Sequence, residues 1–344
     1  MIVLTEDSVA HLSEPLPKIN FVDQWMYHSR LYRAANLATK IDNLELAQLN
    51  SFGCELDAIT TGQTEEILSK AGKIYTILKI DEGSNLGAVK IRIRSLIAAI
   101  KERKGLQFKE NIFEKTKFSE FTKDMKETYT ILGPQLSPLH FRLASSAMRK
   151  HGINLEILSK VNKNDIEEGL RYVNNDARYP AIVVVGQLIN ALKSGKYDLN
   201  KAAMIISQTG GGCRTTNYAG FSRKAAEKAG FKNATVISLS ATNSSLNKTL
   251  GISFSVIKDA LLALIYGDLL MKLSNRMRPY EAYAGQTDNL VETWLMRLSD
   301  RIGKTIYFNF KKTIKKIVKD FDSIAIQKIK NRVGGRRNSC EISP

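Results

Sequence analysis

Apolar residues recur along this chain in two alternating rhythms, and the alternation predicts the fold class. Compact runs of β-branched and aliphatic residues at 44–52, 74–80, 128–132, 155–158, 203–208 and 235–239 read as strands. Longer stretches with apolar residues at three- and four-residue spacing read as helices. They cover 23–38, 60–71, 86–104, 180–192, 213–229 and 256–273, with a further helix opening at Ser137-Pro138. Gly72 and Gly230 stand where two of these helices stop, as helix C-terminal glycines do. Strands alternating with helices of this length imply parallel sheets covered on both faces. The expected class is α/β, with two tandem open parallel-sheet domains of Rossmann or flavodoxin-like type.

The first α/β domain is expected at 18–105 and the second at 127–300. Between them, 106–126 is polar and charged without a strand pattern, a basic crossing segment. Residues 301–333 differ in kind. Ile306, Phe310, Ile314, Ile317, Phe321, Ile324 and Ile329 recur there among eight lysines. That pattern reads as a basic amphipathic helical extension, whose simplest role is to pack on the body. Residues 334–344 read as a flexible tail.

Charge changes the picture only after it is located. The 344 residues carry 51 Lys and Arg against 34 Asp and Glu, a formal +17, which as a whole-chain figure suggests nucleic acid. Residues 301–337 hold 12 basic and two acidic side chains, and 90–126 hold 11 and five. The rest is nearly neutral. Aromatic residues are not interleaved with the basic stretches in a stacking pattern, so nucleic acid is not the expected partner. The longest apolar runs, 181–185 and 261–265, fall far short of the ~20 residues a membrane helix needs. No secretory signal is visible at the start. Three scattered cysteines make no disulfide framework, and a reducing cytoplasm is the expected location.

In open α/β sheets, ligands gather at the carboxyl ends of the strands, where helix N-termini also point. Three segments place unusual residues at that edge: Ser51-Phe52-Gly53-Cys54, Gln208-Thr209-Gly210-Gly211-Gly212-Cys213-Arg214, and Asn174-Asn175-Asp176-Ala177-Arg178-Tyr179-Pro180. A helix N-terminus favours the thiolate of a nearby cysteine, and thiolates ligate iron or zinc. Glycines let the backbone approach a bulky group and offer N–H donors. Cys54 and Cys213 are therefore the candidate metal pair. Arg178, Gly210, Gly211, Gly212, Arg214, Asn217 and His140 are the candidate cleft and anion-binding residues. The plain alternative for each cysteine is a small buried apolar residue, and Cys340 in the tail reads as a bystander.

Other patterns point elsewhere or nowhere. The triple glycine matches neither dinucleotide nor P-loop fingerprint. His11, His28, His140 and His151 share no metal-like spacing, and Asp81-Glu82 is either an acid/base pair or a turn cap. No Ser-His-Asp or H-E-x-x-H pattern appears along the chain.

The same segments carry a resemblance. LPKINFVDQWMYHSRLYRAA, QLNSFGCELDAITT, KIYTILKIDE with LGAVKIRIRSL, GPQLSPLHF, YVNNDARYPAIVVVGQ, ISQTGGGCRTTNYAGFSRKA and YGDLLMKLSNRMRPYE form a long ordered series over roughly 2–301. Together they resemble the C-terminal region of the large activase-related proteins of the 2-hydroxyacyl-CoA dehydratase system, a region similar to the dehydratase subunits themselves. The resemblance implies tandem α/β domains around an oxygen-sensitive iron–sulfur cluster of [4Fe–4S] type, passing a low-potential electron under ATP hydrolysis by an activator. It implies as partners an ATP-hydrolysing activase module or subunit, an acyl-CoA and a homo- or hetero-oligomer, without a membrane. No ATPase module is recognised in this chain, and catalytic residues are not assigned.

Carried over position by position, Cys54 matches the cysteine of the S-F-G-C string and Cys213 that of the G-G-G-C-R string. The third expected cysteine falls at Arg178, and Glu55 stands where a small residue is expected. A four-iron cluster wants about four ligands, so the substitution opens a second reading, a binding or scaffold copy of the same fold without a cluster.

Overall fold

The structure, a computed structural model, describes residues 2–16, 21, 23, 25–51, 56–80, 83, 86–103, 119, 121–175, 177–208, 217–240, 250, 253–302 and 309–326. After a short helix at Glu6–Val9 come α1 (Met26–Lys40), β1 (Leu46–Asn50), α2 (Leu56–Lys70), β2 (Tyr75–Lys79) and α3 (Leu86–Arg103). Then follow β3 (Thr130–Pro134), α4 (Pro138–Lys150), β4 (Leu155–Leu158), α5 (Lys163–Tyr172), α6 (Tyr179–Lys193), β5 (Ala202–Gln208), α7 (Tyr218–Lys228) and β6 (Thr235–Ser240). The chain continues through α8 (Phe254–Met277), α9 (Gln286–Arg301) and α10 (Phe310–Asp322). Strands β1 and β2 pair in parallel, with Leu46 opposite Tyr75 and Asn50 opposite Lys79. The other four form a parallel sheet in the order β4-β3-β5-β6. The α/β class read from the alternation is the observed one. No described helix is long and apolar enough to cross a membrane.

Contacts group the chain into two compact units, Met1–Leu136 with Gly152–Ile252, and Ser137–His151 with Ser253–Pro344. Both sheets fall in the first unit. The second is built from α4, α8, α9 and α10, so the helix between β3 and β4 groups with the C-terminal helices.

Helix α6 is the centre of the first unit because it is apolar nearly all round. Ala181, Ile182, Val184, Val185, Leu188, Ile189 and Leu192 are buried in one cluster with Leu132 of β3, Met204 and Ile206 of β5, and Ala225 of α7. Each large aliphatic side chain buried this way contributes about 1.5–3 kcal/mol. Helix α5 lies against α6 at two glycines. A Cβ on Gly169 would stand 2.1 Å from the Ile182 carbonyl oxygen, and one on Gly186 would stand 1.8 Å from that of Asp165. The close approach is locked by Asn190 Nδ2 donating to Asp165 Oδ1 at 2.6 Å and Lys193 Nζ to Glu168 Oε2 at 2.6 Å. Helix α5 starts on a capping box, with Asn162 and Asp165 answering each other's backbone N–H. Its buried face is Asp165, Glu168 and Gly169, which is why apolar spacing does not announce it.

Helix α3 is less covered than its amphipathic pattern suggests, since none of its residues is fully buried. In the second unit, Tyr266 and Leu270 of α8, Trp294 and Leu298 of α9, and Leu143 of α4 share one core with Ile317 and Phe321 of α10. Lys311, Lys312, Lys315, Lys316 and Lys319 are exposed on α10. The basic stretch is thus, over these residues, the solvated side of a helix anchored in a core; 303–308 and 327–344 lie outside the described residues.

The α5–α6 contact generates a direct expectation. A methyl group at Gly186 meets backbone that cannot rotate away, so Gly186→Ala should destabilise the first unit by about 3 kcal/mol. Gly169→Ala should act alike, and urea unfolding of the two variants checks both.

Candidate functional site

In the four-stranded sheet, β3 is followed outward by β4 on one side and by β5 and β6 on the other. The strand order reverses between β3 and β5, which is where open parallel sheets form a ligand crevice beyond their carboxyl ends. The segment carrying Gly210, Gly211, Gly212, Cys213 and Arg214 follows directly from the carboxyl end of β5, and Cys54 follows that of β1. These six residues lie outside the described residues, as do Glu55, Asp81, Glu82 and Cys340. The site is therefore built here from the elements that lead into and out of them.

Those elements meet through polar groups. Helix α2 begins two residues after Cys54, and its Thr60, Thr61, Gln63 and Thr64 are all buried. A helix turned inward on hydroxyl and amide groups is costly unless partners answer them. Asn174, four residues before Arg178, supplies one answer: its Nδ2 donates to Ala58 O at 3.4 Å and to Thr61 Oγ1 at 3.3 Å. Lys224 of α7 holds the same helix at other groups, donating to Gly62 O at 3.4 Å and to Glu66 Oε2 at 3.0 Å. Lys70 completes the Glu66 carboxylate at 3.1 Å. Beneath these bonds, Ala58 and Ile59 join the core cluster that holds Ala219, Phe221 and Ala225 of α7. The helix after Cys54, the turn before Arg178 and the helix after Cys213 are thereby tied together.

Asn50 at the carboxyl end of β1 and Asn217 at the start of α7 are both buried beside this tie in sequence. Arg178 is exposed and is the residue that opens α6, with φ −60° and ψ 149°. Its carbonyl receives the Ala181 N–H at 2.8 Å, and Pro180 sits in the first turn, where a missing N–H costs nothing. A guanidinium keeps its proton and offers only donors, so Arg178 cannot ligate iron. At the positive end of a helix it suits an anion instead. The three positions thus offer two thiols and one cation. The thiols fit a sulfur-ligated iron centre; they do not by themselves fill a four-iron one. Among the described residues, no three His, Cys, Asp or Glu side chains converge as a metal site.

His140 belongs to the second unit and has other company. Its Nδ1 lies 2.6 Å from Ser137 Oγ and its Nε2 lies 2.9 Å from Asp268 Oδ1. The fold does bring a Ser, a His and an Asp together here, with no pattern along the chain to announce it, because Asp268 comes from 128 residues away. His28 and His151 also face carboxylates, Asp57 at 3.7 Å and Asp259 at 2.9 Å. Glu66 and Lys224 are not candidates on sequence, and Asn174 enters only as the start of the Asn174–Pro180 segment. The one signal for them is the threonine- and glutamine-rich ITTGQTEE where an apolar stripe belongs.

Burial perturbs the ionisable groups around α2. It pushes the Tyr32 and Tyr75 hydroxyls up and lowers Lys73. Glu66 feels the same upward push, but Lys224 and Lys70 outweigh it and hold its carboxyl below the ordinary 4.5. A carboxylate depressed on folding stabilises fully above its unfolded value, and that contribution is lost as pH falls through the folded one. Glu66→Gln should therefore cost about 2 kcal/mol near neutral pH and flatten the acid loss of stability between about pH 5 and 3. Urea unfolding across that range measures both effects.

No known protein family, curated protein or solved structure matches this chain.

Proposed function

We propose that the chain is a redox module of the 2-hydroxyacyl-CoA dehydratase and activase type, in which Cys54 and Cys213 hold an iron–sulfur centre. The supporting observation is the hydrogen-bonded tie among α2, the Asn174 turn and α7. These elements adjoin the three segments in which the resemblance places ligands. The reading carries with it two tandem open sheets of Rossmann or flavodoxin-like type, a basic C-terminal extension and a cytoplasmic setting. When bound, an iron–sulfur centre supplies low-potential one-electron chemistry.

The chain's own contribution is to position two thiols and one guanidinium at strand and helix ends. Arg178 takes an anion there, such as a CoA phosphate or a carboxylate. The remaining iron ligands come from water, an acyl-CoA substrate or a second subunit. ATP hydrolysis comes from an activase partner. A second reading, a binding or scaffold copy without a cluster, is favoured by one observation, the exposed arginine that opens α6 at the third ligand position.

Anaerobic reconstitution with iron and sulfide separates the two. The redox reading expects bound iron, visible absorption and an EPR signal on reduction, all lost in Cys54→Ser with Cys213→Ser. A colourless wild type, with iron uptake appearing only in Arg178→Cys, contradicts it and leaves the scaffold reading.

A further inference from the structure

We propose that Ser137 is a nucleophilic serine, activated by His140, in an acyl-transfer site for esters or thioesters of apolar acyl groups. The site lies in the second unit. Its geometry fixes the protons. The Asp268 carboxylate only accepts hydrogen bonds, so the His140 nitrogen 2.9 Å away, Nε2, carries its proton. Nδ1 of the neutral ring then has a free lone pair, and the Ser137 hydroxyl 2.6 Å away donates to it. This is the arrangement of an activated hydroxyl: nucleophile, base, and a third group that orients the base.

Three further features suit it to acyl chemistry. His140 is 8% exposed, and its ring lies so close over α8 that a Cβ on Gly267 would stand 2.5 Å from its Cδ2. The ring therefore sits over a position that only glycine leaves open. Ser137 precedes the first turn of α4 without capping it through its side chain, and the first backbone bond there runs from Phe141 N to Ser137 O. The Leu139 and His140 N–H groups of that turn have no partner inside the helix, which leaves them as the donors an oxyanion would need. Beside Asp268 on α8, Leu264, Ile265 and Met271 are 47%, 37% and 41% exposed. They offer an apolar strip for the acyl group.

In the reaction, Ser137 Oγ bonds to the carbonyl carbon while its proton passes to His140 Nδ1. Collapse of the tetrahedral intermediate breaks the bond to the alcohol or thiol, which leaves with the proton from Nδ1. Water then attacks the acyl-serine, giving its proton to Nδ1, and the carboxylic acid departs as Ser137 regains its hydrogen. Asp268 is a positioning residue that holds the ring in one tautomer.

The test is labelling of the full chain with a fluorophosphonate, mapped by peptide mass, together with hydrolysis of p-nitrophenyl butyrate. Ser137 should label faster than any other serine, and Ser137→Ala should abolish that label and the hydrolysis. His140→Gln should slow labelling at least about 100-fold. Asp268→Asn, at an exposed position, should slow it at least about tenfold with unchanged thermal melting, and Asp268→Glu should recover part of the rate. Gly267→Ala should slow it as well, by displacing the ring. An unlabelled Ser137, or a rate that Asp268→Asn leaves unchanged, reduces the arrangement to an ordinary helix start and overturns the proposal.

Discussion

A helix that turns threonines and a glutamine inward is costly to bury where their hydrogen bonds go unanswered, and that cost shapes the first unit. Leaving a buried polar group unanswered costs about 1–3 kcal/mol, so α2 cannot settle against an arbitrary apolar surface. It settles where Asn174 reaches Thr61 and Lys224 reaches Glu66. Apolar burial of Ala58 and Ile59 adds attraction, but attraction of that kind is indifferent to register. The polar bonds select one placement, and that placement brings together the helices and the turn that adjoin Cys54, Arg178 and Cys213. Thr64 on α2 and Ser222 on α7 remain buried with hydroxyls that find no partner among the described residues. The tie is thus not fully satisfied on its own.

The second unit obeys a different logic. Its core is apolar, built on Tyr266, Trp294, Phe321 and their neighbours, and polar contacts such as Arg142 to Glu292 and His151 to Asp259 join its helices. Lys150 Nζ donates to the carbonyls of Ser299 and Asp300, at 2.8 Å each, at the C-terminal end of α9, where a positive charge is favoured. The exposed lysines of α10 belong here too. Five of the chain's basic side chains are thereby explained as the solvated face of an anchored helix.

How much of this was legible in the sequence depends on which force shapes each element. The six strands and most helices are driven by apolar burial, and apolar spacing finds them within a few residues: β4 falls at Leu155–Leu158 as read. Helix α5 escapes because it buries carboxylates and a glycine instead of an apolar stripe. Helix α9 carries Leu290, Val291, Trp294, Leu295 and Leu298 at helical spacing, so its pattern is present in the sequence. Helix α2 was legible as a helix, while its role was not, since a polar tie depends on partners over a hundred residues away. The Ser137–His140 spacing is local, yet its meaning depends on Asp268, which only the packing of α8 supplies.

The central claim is that the α2–Asn174–α7 tie joins the helices and the turn that adjoin Cys54, Arg178 and Cys213 in sequence. The most direct measurement is intramolecular cross-linking of those two thiols, in a Cys340→Ser background, with a short bifunctional thiol reagent. The account predicts a Cys54–Cys213 link in the native protein, greatly reduced when Glu66→Gln and Lys224→Met loosen the tie. Single modification of both thiols with no link between them would contradict it.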